Sequence, residues 1–168
     1  MQKAGQTLIL PPYCPHTTFS IGGSILCGYQ FDAIEFFPVS ISCLHVEMEY
    51  LDNQYKNESD RRSEHDSNLK GWLDGLEQTL GNGDETTKEK VVTAWIANIS
   101  TIQGAFRKAR NHEDRACAIW EEFLRTTTIG QCPSCPGNSR SFLAHMMSQH
   151  VDVIRSQELR AKKRARYV

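Results

Sequence analysis

Two thiols and two imidazoles within twenty residues constrain this chain more than anything else in it. They sit in QCPSCPGNSRSFLAHMMSQH, residues 131–150. Pro133-Ser134 separates Cys132 from Cys135, nine residues follow, and four residues separate His145 from His150. This is close to the ligand pattern of a Cys2His2 structural zinc site, where thiolates and neutral imidazoles complete a tetrahedron. The expected cofactor is Zn2+, and the expected ligands are Cys132, Cys135, His145 and His150.

The spacing has a physical reason. Two residues between cysteines let a tight turn aim both sulfurs at one point, and Pro133, Pro136 and Gly137 are turn formers. Asn138, Ser139 or Ser141 is placed to cap the helix that follows, and Phe142 and Leu143 to cover the metal with apolar side chains. Two features depart from the pattern. The loop is shorter than the roughly twelve residues usual in DNA-reading fingers. Histidines five apart lie about 140° apart on a regular helix, so the helix must tighten or loosen near His150. Two other readings compete: thiols that pack as small hydrophobes beside surface histidines, and a redox dithiol with thioredoxin-like spacing. The dithiol wants a buried strand before it, whereas Thr126-Thr127-Thr128-Ile129-Gly130 is a poor strand and Pro136-Gly137 interrupts any helix starting at Cys132.

A length of 168 residues implies one domain, or one domain with a small appendage. Hydrophobic residues make up 39% and charged residues 23%, enough for a core but not a large one. No apolar run approaches the ~18 residues needed to cross a bilayer. Leu8-Ile9-Leu10 is too short a block for a signal peptide. The expected setting is therefore intracellular, nucleus or cytoplasm, with no membrane partner. There the six cysteines are free or metal-bound in preference to disulfide-linked.

Charge is uneven along the chain. Residues 1–60 carry two Lys against seven Asp/Glu, residues 61–110 carry eight basic against seven acidic, and residues 111–168 carry nine against six. The end of the chain is where a polyanion is expected to bind. Arg155, Arg160, Lys162, Lys163, Arg164 and Arg166 are the residues expected to meet nucleic acid, as backbone contacts from a helix behind the zinc site. The bland alternative is a solvated helix end whose cations suit the C-terminal dipole.

Three parts are expected along the chain. Residues 1–60 read as a small antiparallel β-rich part. Thr18 to Ile21 and Ser24 to Cys27 flank the glycine pair Gly22-Gly23, and Val39-Ser40-Ile41-Ser42-Cys43-Leu44 partly alternates. Pro11, Pro12, Pro15 and Pro38 mark its edges and breaks. Cys14, His16, Cys27, Cys43 and His45 within it are candidates for a second metal site, although none shows the Cys-x2-Cys pairing. Residues 52–67 are almost wholly polar and read as a linker.

Residues 61–128 read as the helical part. Leu69, Trp72, Leu73, Leu76 and Leu80 form one helix face, ended by Gly81-Asn82-Gly83. Thr86 or Thr87 is expected to cap a longer helix striped by Val92, Trp95, Ile96, Ile99, Ile102 or Gln103, and Phe106, with Thr86 and Glu89 as a capping box. A third helix, near His112 to Arg125, carries Ala116, Ile119, Trp120, Phe123 and Leu124. The stripes are expected to form a core, and the alternative is that they meet a partner helix. Residues 129–168 read as the zinc module with a long basic helix. The fold class expected is thus α+β.

One catalytic constellation competes. His45-Val46-Glu47 and Cys132-Pro-Ser-Cys135 match the two halves of the zinc deaminase signature, with His45, Cys132 and Cys135 holding zinc and Glu47 moving protons. About eighty residues separate the halves, and Gln131 stands where the pattern has proline. The leading expectation is a non-enzymatic, zinc-binding regulatory protein that binds nucleic acid. A protein–protein adaptor using the aromatic helix faces is the alternative, and the deaminase ranks below it.

Overall fold

The computed structural model describes residues 6–10, 13–14, 22–23, 33–109, 112–135 and 141–155. Every regular element among them is a helix or helical turn. A 3-10 turn, Ile34–Phe36, leads into α1 (Phe37–Gln54), followed by α2 (Glu58–Asn82), α3 (Glu85–Ala97), α4 (Ile99–Lys108), α5 (Glu113–Thr126) and α6 (Phe142–Met146). A π turn, Met147–Val151, and a 3-10 turn, Asp152–Ile154, continue α6. No strand occurs among the described residues, so a mostly helical fold replaces the α+β class and its β-rich N-terminal part. Most of the expected Gly22-Gly23 hairpin lies outside the described residues.

The reason for the difference lies in α1. Residues 39–44 do alternate over six positions, but Phe37, Ile41, Leu44, Met48 and Leu51 recur at helical spacing over fifteen. All five are buried. The longer pattern decides, because only a helix puts that whole set on one face. Pro38 marks no break: it lies in the first turn of α1, where a missing N–H costs nothing.

The polar stretch 52–67 is likewise no linker. It supplies the end of α1, a short connection and the first turns of α2. The Asn57 side chain accepts the Ser59 backbone N–H at 3.0 Å and caps α2. Glu58 and Asp60 in the first turn suit the helix dipole. His65 turns inward between Met48 and Asp52, at 3.2 and 2.9 Å. Polar composition here marks a solvated helix face anchored by one buried imidazole.

α1 packs against α2, α3 and α4, and α2 also meets α5. A row of rings crosses the bundle: Phe37, Trp72, Trp95, Trp120 and Phe123, with successive centroids 5.5, 6.1, 4.9 and 5.8 Å apart. These are offset and edge-on contacts of the kind that add to simple burial. All three tryptophans are buried, so they serve the core and present no face to a partner. One hydrophobic core extends from Phe37 to Ile154, across the boundaries expected at 60 and 128.

Two boundaries differ in detail from expectation. Asp84, not Thr86 or Thr87, caps α3, accepting the Thr87 backbone N–H at 2.7 Å. The single helix expected over residues 87–106 divides at Asn98, whose side chain donates back to the Ala94 carbonyl at 2.8 Å. Asparagine competes with the helical ladder in this way wherever it can reach a backbone carbonyl.

The turn between α2 and α3 yields a prediction. A Cβ on Gly83 would lie 2.5 Å from the Thr79 carbonyl oxygen, whereas one on Gly81 would meet nothing within 4 Å. Gly83→Ala is expected to destabilise the protein by about 1–3 kcal/mol through forced backbone movement. Gly81→Ala, inside α2, is expected to be neutral or stabilising by about 0.5–1 kcal/mol. Urea midpoints of the two variants check the contrast.

Candidate metal centre

From α5 an extended stretch carries the chain to Cys132, where the Cys135 backbone N–H returns to the Cys132 carbonyl at 3.4 Å. That turn places both sulfurs on one side. Residues 136–140 lie outside the described residues. Ser141 then caps α6 by accepting the Ala144 N–H at 3.2 Å, and α6 carries His145.

The histidine spacing is resolved by the π turn over Met147–Val151. A π turn closes i→i+5 hydrogen bonds, so residues five apart come close to one line. The helix loosens where the spacing required it to change, and both imidazoles face the sulfurs. Cys132, His145 and His150 are buried and Cys135 is half-buried.

The four ligand atoms lie within 4.8 Å of one another. His150 Nε2 is 3.5 Å from Cys132 Sγ, 3.7 Å from Cys135 Sγ and 3.2 Å from His145 Nε2. Zinc bonds of about 2.3 Å to sulfur and about 2.0–2.1 Å to nitrogen give tetrahedral edges of about 3.6 Å for S···N and about 3.3 Å for N···N. The three spacings from His150 Nε2 match those edges. Hydrogen bonding does not account for them as well, because a ring nitrogen offers one proton or one lone pair, not three. Among the described residues this is the only group of His, Cys, Asp and Glu close enough to hold an ion.

Electrostatics favour a cation at the same point. Burial, and then the neighbouring His145, push the His150 imidazole below its ordinary value, towards the neutral form that binds metals. Burial, and then Cys132 beside it, push the Cys135 thiol up. Two adjacent sulfurs resist ionising together until a divalent ion neutralises them.

The bundle fixes the site from behind. The Trp95 indole N–H donates to the His150 carbonyl at 2.9 Å, and the Gln103 amide donates to the Val153 carbonyl at 2.7 Å. The indole nitrogens of Trp72 and Trp120 have no partner among the described residues, so Trp95 alone of the three ties the ring row to the candidate ligands. Arg155, expected to contact nucleic acid, turns inward: it is 9% exposed and binds Asp114 at 2.7 Å and Asp152 at 2.5 Å. It locks the last turn onto α5. Arg160, Lys162, Lys163, Arg164 and Arg166 lie outside the described residues, as does any helix they form.

His45 is exposed on α1, and its ring bonds the Ser42 carbonyl one turn back at 3.1 Å. Glu47 points to Asn68 and Tyr13. Neither joins Cys132 and Cys135, so the two halves of the deaminase signature do not meet. Of the suggested second site, His16 and Cys27 lie outside the described residues. Cys14, Cys43 and His45 form no ligand group. No described helix is long and apolar enough to cross a membrane.

Comparison with family models, curated proteins and solved structures finds no match. The positioning roles of Trp95, Gln103, Asp114 and Arg155 carry no sequence signal, because each depends on contact with a residue more than forty positions away.

Proposed function

We propose that Cys132, Cys135, His145 and His150 hold a structural Zn2+, and that this non-enzymatic protein binds nucleic acid through the basic segment beyond Arg155. The observation that carries the reading is the gathering of the four ligand atoms within 4.8 Å, with the three spacings from His150 Nε2 at the edge lengths of a zinc tetrahedron. Two sulfurs and two ring nitrogens fill all four positions and leave none for water or substrate, which is the mark of a structural site and not a catalytic one. Zinc bound there clamps the α6 turns to Cys132 and Cys135, and the chain continues directly into Arg160, Lys162, Lys163, Arg164 and Arg166.

Elemental analysis of the purified protein tests the metal, with one zinc per chain expected. Nucleic-acid binding is tested by the salt dependence of duplex affinity. With five phosphate contacts, affinity should fall roughly 500-fold between 50 and 200 mM salt, and neutralising the five cations should remove that dependence. One zinc without salt-sensitive binding would retain the metal and reject the nucleic-acid role.

A further inference from the structure

Away from the candidate metal centre, α1 carries a half-buried carboxylate with no cation beside it among the described residues. Glu47 accepts the Tyr13 hydroxyl and the Asn68 amide N–H. Among the described residues no Lys, Arg or His pairs with it. Asp52, five residues further along α1, is by contrast met by Arg61, His65 and Lys108. Residues 33–55 contain Glu35, Glu47, Glu49 and Asp52 but no Lys or Arg.

Glu47 sits in an open surface groove of about 350 Å3 lined by Tyr13, Val46, Tyr50, Leu51 and Asn68. This volume suits a small ligand or one side chain. Tyr50 is 62% exposed and Val46 46%, so apolar surface stands open around the carboxylate. Tyr13 forms one wall from a backbone with φ of 57°, a left-handed conformation that non-glycine residues rarely adopt. Asn68 Oδ1 is buried without a hydrogen-bond partner. Burial pushes the Glu47 carboxyl up, with the Asn68 bond opposing it. A nearby cation would remove that penalty.

We propose that this groove binds a primary alkylammonium, with Glu47 as its anionic anchor and the rings of Tyr13 and Tyr50 as its walls. A carboxylate has about four acceptor sites, so Glu47 keeps capacity after Tyr13 and Asn68, and an ammonium brings three donors and needs no acceptor. Tyrosine faces attract a cation through the ring quadrupole. Val46 and Leu51 take the alkyl stem. Anionic ligands meet Glu47 with no basic residue among the described ones to offset it, and a neutral apolar ligand would bury its charge uncompensated.

The chemistry is shared by a free amine and by a lysine side chain. Full-length 15N-labelled protein is titrated at constant ionic strength with n-butylammonium, with Nα-acetyl-lysine N-methylamide and with neutral 1-pentanol, following the Asn68 and α1 resonances. Saturable shifts with both ammonium ligands are expected, and none with pentanol. The tighter of the two identifies the source. Glu47→Gln, nearly isosteric, should weaken the ammonium ligands about tenfold or more, given that bonds to charged groups are worth about twice neutral ones. Tyr50→Leu, at an exposed position with little bearing on folding, should weaken them severalfold. Equal binding of pentanol, undiminished binding to Glu47→Gln, or no saturation with either ammonium ligand would overturn the proposal.

Discussion

His150→Ala is expected to strip the protein of zinc while leaving α1 to α5 folded. His150 Nε2 lies within 3.7 Å of each of the other three ligand atoms, so its loss removes one of the four vertices and leaves three ligands. Loss of an outer-shell partner alone costs about 10–100-fold in metal affinity, and loss of a direct ligand should exceed that. Structural zinc contributes about 10–16 kcal/mol of apparent binding free energy, which acts as local folding free energy where no site exists without the fold. Competition against a chromophoric chelator measures the affinity. Limited proteolysis reports the region after Ile129, where new cuts are expected in the variant and in chelated wild type alike. Undiminished zinc in His150→Ala would sink the metal assignment. Zinc loss with an unchanged proteolytic pattern would show that Trp95, Gln103 and Arg155 hold the turns without it.

A second large effect is expected at Trp95. This ring is fully buried between Trp72 and Trp120, and its N–H serves the His150 carbonyl. Trp95→Ala leaves a cavity costing about 3–5 kcal/mol. It also strands a buried carbonyl, at about 1–3 kcal/mol. Against a typical domain stability of about 5–15 kcal/mol, the variant should be largely unfolded or close to it. Trp95→Phe separates the two roles: it keeps a ring in the row but removes the donor. It should fold, with a modest loss in urea stability, and bind zinc about tenfold more weakly through the loosened π turn. Equal zinc affinity in Trp95→Phe and wild type would confine Trp95 to packing.

The candidate site was more legible than the fold, for a physical reason. A metal tetrahedron is specified by residue type and short spacing, both written within residues 132–150, and even the mismatch of His-x4-His with a regular helix pointed to the place where the π turn forms. The stripes of α2 and α5 were legible because each runs long enough for the 3.6-residue period to show. α1 was misread because a six-residue window of Val39 to Leu44 fits both periods. α2 began earlier than expected because the polar run 52–67 hides its one buried anchor, His65, whose partners Met48 and Asp52 lie on another helix.

By itself the sequence determined the candidate ligand cluster, the helical stripes and the basic end of the chain, since each is a matter of residue type at short range. Only the tertiary structure decided that residues 37–54 are helix, that the three tryptophans form one row, and that Arg155 turns inward to Asp114 and Asp152. It also decided that His45 stays away from Cys132 and Cys135. Each of these depends on which face meets which neighbour across dozens of residues, and burial, not local preference, selects among conformations that a short stretch of chain permits equally.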